Sequence, residues 1–125
     1  MKVLGIRFCK VAKMGAAQAL ADMLSKLGVG ERKLEGASGA GFQGAVFPIE
    51  HNQKNSWIEI WPAREHIPEM TMLQIIVDDA DAFAAHARRN GLEPKGPDDA
   101  HGERIYYLDG PAGFPVSFQS KLDRS

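Results

Sequence analysis

This chain states one pattern twice, and that repetition limits the folds open to it more than any other feature. An alternating apolar strand, a short amphipathic helix and a strand-rich tail occur first as VLGIRF, AAQALADMLSKLG and FQGAVFPIEHNQKNSWIEIW. They return as MLQIIV, DADAFAAHARRNG and RIYYLDGPAGFPVSFQ. The offset is roughly 60 residues, so each copy is too small to bury a core alone and the two must cooperate. The expectation is a single domain over the 125 residues, with module one at about 1–62 and module two at about 70–120. Two such modules make a groove, and the residues that face it are where function is sought.

Composition narrows the classes of function. Apolar residues make up 44% of the chain, enough for a sizeable core and too many for a disordered one. Lys plus Arg number 15 against 16 Asp plus Glu, and this balance argues against a dedicated binder of nucleic acid or of an anionic membrane. No apolar run approaches a membrane span. The opening MKVLGIRFCKVAK is basic, but Arg7 and Lys10 interrupt its apolar run, so it reads as a first strand and not as a leader. Cys9 is the one cysteine; it has no disulfide partner and no zinc-thiolate companions, and inert burial is expected of it. The cytoplasm is the expected compartment.

Lys2–Phe8 alternates, with Leu4, Ile6 and Phe8 on one face and Val3, Gly5 and Arg7 on the other. A helix is expected over Ala16–Leu27, with Leu20, Met23, Leu24 and Leu27 as its buried stripe and Gly28 as its stop. GASGAG (36–41) follows a helix and precedes a strand, whereas phosphate loops run from strand to helix; it reads as a flexible loop. Strands at Phe42–Ile49 and Ser56–Trp61 flank the polar turn HNQKN, and PAREHIPEM links the copies. In the second copy the strand is Met72–Val77, and Asp78 or Asp79 caps the helix. Ala80, Phe83, Ala84 and Ala87 form that helix's buried stripe, and Asn90-Gly91 ends it. Strands at Arg104–Leu108 and Phe114–Gln119 flank the turn GPAG, and short strands near Glu31–Leu34 and Glu93–Lys95 complete the two copies.

The stretches MLQIIVDDADAFAAHARRNGLEP and HGERIYYLDGPAGFPVSFQ, in a module repeated across nearly the whole chain, resemble the vicinal oxygen chelate superfamily. That group includes glyoxalase I, bleomycin-resistance proteins, fosfomycin-resistance enzymes and extradiol dioxygenases. The turn that usually reads DPDG there is GPAG at Gly110 to Gly113, and the first helix lacks the usual Phe-Tyr pair. The resemblance implies an α+β fold in which two βαβββ modules form a curved, partly open, barrel-like mixed sheet with helices outside. It also implies a homodimer. Metal-dependent members take four ligands, commonly His and Glu, from the first and last strands of each module. Carried onto this chain, those positions are Val3, Glu59, Met72 and Ser117. Of the four, Glu59 alone is an ordinary ligand for a hard divalent ion, so no cofactor is expected, with a divalent metal as the alternative.

The groove faces supply the candidate site. If Ile58 and Ile60 pack against the first helix, Trp57, Glu59 and Trp61 point the other way. Two indoles offer flat apolar area and an N–H each. A carboxylate between them is suited to accept a hydrogen bond, to pair with a cation or to act as a general base, which makes Glu59 the candidate catalytic group. Arg7 shares this face and is placed to clamp a carboxylate or phosphate, to stack on Trp61 or to pair with Glu59. In the second copy Met72, Gln74, Ser117 and Gln119 are expected to line the groove; Tyr106 and Tyr107 point to opposite faces, and the sequence does not choose between them. His51, His66 and His86 fall on surface positions, while His101 and Glu103 lie just before a groove strand.

Three functional readings follow. The first is a metal-independent binding protein that sequesters an aromatic or cationic small molecule. The second is a metal-dependent lyase, isomerase or dioxygenase with atypical ligands such as Glu59 with His101 or Glu103. The third is a non-catalytic dimer whose groove is filled by its own side chains. Glu59→Gln separates them: it changes affinity, abolishes metal binding or alters stability alone.

Overall fold

The computed structural model describes residues 1–29, 32–33, 43–48 and 55–122. The GASGAG loop, Phe42, Ile49, His51 and most of the HNQKN turn lie outside the described residues. The elements run β1 (Val3–Ala12), α1 (Met14–Lys26), β2 (Arg32–Lys33), β3 (Ala45–Pro48) and β4 (Trp57–Pro62), then β5 (Met70–Val77), α2 (Ala80–Arg89), β6 (Lys95–Ala100), β7 (Glu103–Asp109) and β8 (Pro115–Lys121). A single 3-10 turn at Pro111–Gly113 joins the last two strands. The fold is α+β, and the order βαβββ occurs twice, as the repeat predicts. The chain divides into two compact units, Arg7–Thr71 and Met72–Ser125, the latter joined by Met1–Ile6.

In the first unit the strands are ordered β2-β3-β4-β1. β1 runs parallel to β4, with Arg7 beside Trp57, Cys9 beside Glu59 and Val11 beside Trp61. β1 continues past Phe8 to Ala12. Lys10 does not end it, because its ammonium donates to the Thr71 hydroxyl at 3.0 Å. One sheet face carries Ala45, Phe47 and Ile60, which pack with Ala17 and Ala21 of α1, flanked by Leu20, Leu24 and Ile58. The buried stripe of α1 is therefore Ala17–Leu20–Ala21–Leu24, and Met23 and Leu27, expected inside, are 52% and 71% exposed. Both stripes satisfy the helical period; alanines at the centre let the helix backbone approach Phe47 and Ile60, which a leucine there would hold off. Gly28, at φ +98°, closes the helix as expected.

In the second unit β5, β8, β7 and β6 lie in that order. β5 and β8 are parallel, with Gln74 beside Ser117 and Ile76 beside Gln119. β7 and β8 are antiparallel, with Tyr107 opposite Ser117 and Ile105 opposite Gln119. The helix face carries Val77, Tyr106 and Phe118, packed with Ala80 and Ala84 of α2 and with Ile75, Phe83 and Leu108. Asp79, and not Asp78, is the N-cap: its carboxylate accepts from the Ala82 N–H at 3.1 Å. Asp78 instead accepts the Lys2 backbone N–H at 2.9 Å. The Ala80 N–H, another donor of the first turn, reaches the Ser120 hydroxyl oxygen at 2.9 Å. β6 lies further along than the expected Glu93–Lys95. Pro97, Asp98 and Asp99 are poor strand formers, but an edge strand pairs on one side only and tolerates them, with a register shift between Lys95 and Asp98.

Candidate functional site

The site is built first from β4. Ile58 and Ile60 turn to α1, so alternation turns Trp57, Glu59 and Trp61 to the opposite sheet face, where all three are partly buried. The parallel register sets Arg7, Cys9 and Val11 of β1 beside them. Arg7 is 8% exposed, and its guanidinium carbon stands 3.8 Å from the Trp57 ring centroid. The sequence offered Trp61 as the stacking partner; the register decides for Trp57, which is the residue directly beside Arg7. A planar cation over an indole face contributes about 0.5–2 kcal/mol, the upper end where it is desolvated as here. The Trp57 Nε1–H is buried with no hydrogen-bond partner among the described residues. A buried donor left unmet costs about 1–3 kcal/mol. Cys9 is buried, and desolvation, followed by the neighbouring Glu59 charge, pushes its thiol up to about 12. At neutral pH it is a protonated, unreactive side chain, as the sequence suggests.

The second unit places Met72, Gln74, Ser117 and Gln119 on the sheet face away from α2, together with Glu103, Ile105 and Tyr107. Ser117 and Gln119 are 1% and 4% exposed, so they are interior groups and not an open lining. The Ser117 hydroxyl donates to Gln119 Oε1 at 2.9 Å, and Gln119 Nε2 donates to Glu103 Oε1 at 3.0 Å. This chain satisfies polar groups that would otherwise be costly to bury. Sequence reasoning set Glu103 with His101; the structure gives Glu103 to Gln119 and leaves His101 exposed. The available signal was alternation, since Ser117 and Gln119, two apart, share a face. Gln74 Nε2 contacts the Met72 sulfur at 3.9 Å. His66 and His86 are exposed, as expected.

The two tyrosines separate as opposite faces require. Tyr106 faces α2, stacks on Phe118 at 5.3 Å and donates its hydroxyl to Asp81 Oδ1 at 2.6 Å. Tyr107 is the one on the face with Ser117; burial, then the Asp98 charge, raises its phenol above the ordinary value. Arg104 bridges Asp81 at 3.0 Å and takes Asp99 with two nitrogens, at 2.9 and 3.1 Å. The Tyr106 hydroxyl and then Arg104 hold Asp81 below the usual carboxylate range, and Arg104 does the same for Asp99. This cluster fastens α2 to its sheet.

The positions at which metal-dependent proteins of the resembling family hold an ion do not fit one here. Val3 is hydrocarbon and 58% exposed, Met72 offers a thioether, and the Ser117 hydroxyl is engaged with Gln119. Glu59 is left as a lone carboxylate, too little to hold a divalent ion against water. Among the described residues no three His, Cys, Asp or Glu side chains gather.

No protein-family model and no curated protein matches the sequence. Solved structures do match. A structure described as NAD-dependent benzaldehyde dehydrogenase from Legionella pneumophila shares 11% identity over 94% of this chain and 99% of its own, with a TM-score of 0.61. Methylmalonyl-CoA epimerase from Mycobacterium tuberculosis shares 16% identity over 97% of this chain and 88% of its own, at 0.60. A glyoxalase/bleomycin resistance protein/dioxygenase superfamily member from Vibrio splendidus 12B01 shares 9% over 93% and 97%, at 0.57. These names describe different chemistries, so the likeness carries the fold and not a reaction. With its doubled βαβββ order, the chain has the vicinal oxygen chelate fold.

Proposed function

We propose that this protein binds a small aromatic or cationic molecule without a metal, on the face that presents Trp57, Glu59 and Trp61, and acts by sequestering it in the cytoplasm. The observation that carries the reading is the placement of those three side chains on the β4 face that α1 leaves uncovered, each partly buried. Alternate residues on a strand stand about 6.6 Å apart, so a carboxylate lies one small-molecule ring length from an indole on either side. Arg7 already occupies one side of the Trp57 ring, so Trp61 and Glu59 are the natural seat for a ligand's own cation or donor. The donor chemistry at Val3, Glu59, Met72 and Ser117 supports binding without a metal.

The test is a titration of intrinsic tryptophan fluorescence with benzyltrimethylammonium and its uncharged analogue neopentylbenzene, each with and without EDTA. Glu59→Gln is expected to weaken the cation about tenfold and leave the neutral analogue unchanged, since one desolvated charge pair is lost. EDTA should change neither. Binding lost with chelator would move the site to metal chemistry, and no response to either probe from the folded protein would refute the reading.

A further inference from the structure

Trp57 as a residue is partly exposed, yet its Nε1–H is buried and meets no acceptor among the described residues. The ring thus borders solvent while its N–H is turned in from it. Folded proteins leave few such donors, because a buried N–H without an acceptor forfeits the water it bonded in the unfolded chain. Its neighbours across the sheet cannot supply one. Arg7 lies beside Trp57 in β1 and Pro48 opposite it in β3. A guanidinium carries donors only, and a proline side chain is hydrocarbon. Glu59 shares the face but does not reach the nitrogen. The ring is also held in place, since the Arg7 guanidinium carbon stands 3.8 Å from its centroid and another rotamer would forfeit that stack.

We propose that this N–H is a specificity-determining donor: the molecule bound on the face of Trp57, Glu59 and Trp61 carries, close to its cation, an acceptor oxygen that the Trp57 indole meets. The inference rests on the site proposed above and narrows its ligand to aromatic cations with a carbonyl or similar oxygen near the charge. Trp57 and Glu59 are alternate residues of one strand, about 6.6 Å apart, so an oxygen and a cation a few bonds apart can engage both. The two side chains select different groups. An ionised carboxylate only accepts and so favours the cation, whereas an indole nitrogen only donates and so favours the oxygen. A donor of this kind discriminates more sharply than apolar area does, because a ligand without the oxygen leaves the buried N–H unmet.

Isothermal titration calorimetry with two probes that differ in one group tests this. Phenacyltrimethylammonium has a carbonyl between ring and ammonium; phenethyltrimethylammonium has a methylene there. Wild type should bind the carbonyl probe about tenfold tighter or more, as one hydrogen bond to an otherwise unmet buried donor provides. Trp57→Phe keeps an aromatic face for Arg7 and loses the N–H, so the preference should fall to within about twofold. Trp61→Phe keeps the N–H and should keep the preference. A second measurement needs no change at Trp57. In a proton–nitrogen correlation spectrum the Trp57 indole proton, assigned by its survival in Trp61→Phe, should move downfield with the carbonyl probe and not with the methylene probe. A methylene probe that binds, with the carbonyl probe no tighter, would overturn this inference and leave the site itself standing. Failure of the folded protein to bind either probe would overturn both. A preference that survives Trp57→Phe, or an indole proton that answers both probes alike, would give the oxygen to another donor and overturn the inference.

Discussion

Replacing Tyr106 by phenylalanine removes one oxygen and little else. The ring is 5% exposed and keeps its stack on Phe118, 5.3 Å away, and its place under the Arg88 guanidinium at 5.9 Å. What is lost is the 2.6 Å hydrogen bond to Asp81, whose carboxylate retains Arg104 at 3.0 Å. A bond to a charged acceptor contributes about 1.5–3 kcal/mol, but the Asp81 side chain is largely exposed and water replaces part of it, so a loss of about 1–1.5 kcal/mol is expected. That corresponds to a fall in Tm of about 3–8 °C for a chain of this length. Urea unfolding of both proteins across pH tests the cause. Asp81 is held below its usual value, so its contribution is complete above the unfolded carboxylate range and is lost as pH falls through the folded value. The Tyr106 phenol is raised by the Asp81 hydrogen bond, so its contribution is complete below the ordinary tyrosine value of about 10 and is lost as pH rises past the folded one. The difference between the two proteins should therefore be widest near neutrality and narrow at both extremes. A difference that is absent at pH 7, or constant from acid to alkali, would refute the reasoning.

Other perturbations test other parts of the structure. Cys9 should resist alkylation by iodoacetamide at pH 8 in the folded protein and react readily in urea, because burial keeps its thiol protonated; rapid labelling of the native chain would contradict this. Phe47→Ala empties the centre of the first unit, where the ring is fully buried, and should cost about 3–5 kcal/mol in urea unfolding; a loss below about 1 kcal/mol would mean the site is not packed as described. Ser117→Ala leaves the interior Gln119 Oε1 without its donor and should cost about 1–3 kcal/mol, more than the change in size alone accounts for, with Ser117→Thr as the control that keeps the hydroxyl. Gly96→Ala would bring a Cβ to 2.8 Å from the Ile105 carbonyl oxygen, at a φ of +126°, and should destabilise by about 1–3 kcal/mol; a thermal melt like that of wild type would refute it.

Local chemistry makes much of the fold legible in the sequence alone. The second module, β6 apart, is legible in the sequence because its signals are short-range: an aspartate at the cap, alanines and Phe83 on one helical stripe, Asn90-Gly91 at the stop. The first module was read less closely, and the errors have one source. Periodicity identifies faces but does not rank them, so α1 offered a leucine-rich stripe and an alanine-rich one, and contact with Phe47 and Ile60 selected the alanines. Alternation likewise placed Trp57, Glu59 and Trp61 on a common face from sequence alone, but not the indole that Arg7 would cover.

What the sequence determined by itself is the repeated βαβββ order, the glycine stops of the two helices and the division of each strand into two faces, because these follow from turn chemistry and from periods of 3.6 and 2 along a single chain. What the tertiary structure alone decided is pairing between strands: Arg7 on Trp57, Tyr106 toward α2 and Tyr107 toward the opposite sheet face with Ser117, and the relay from Ser117 through Gln119 to Glu103. Those contacts depend on register, and a one-residue slip reverses every face; register is set by packing across the sheet, which no local stretch of sequence contains.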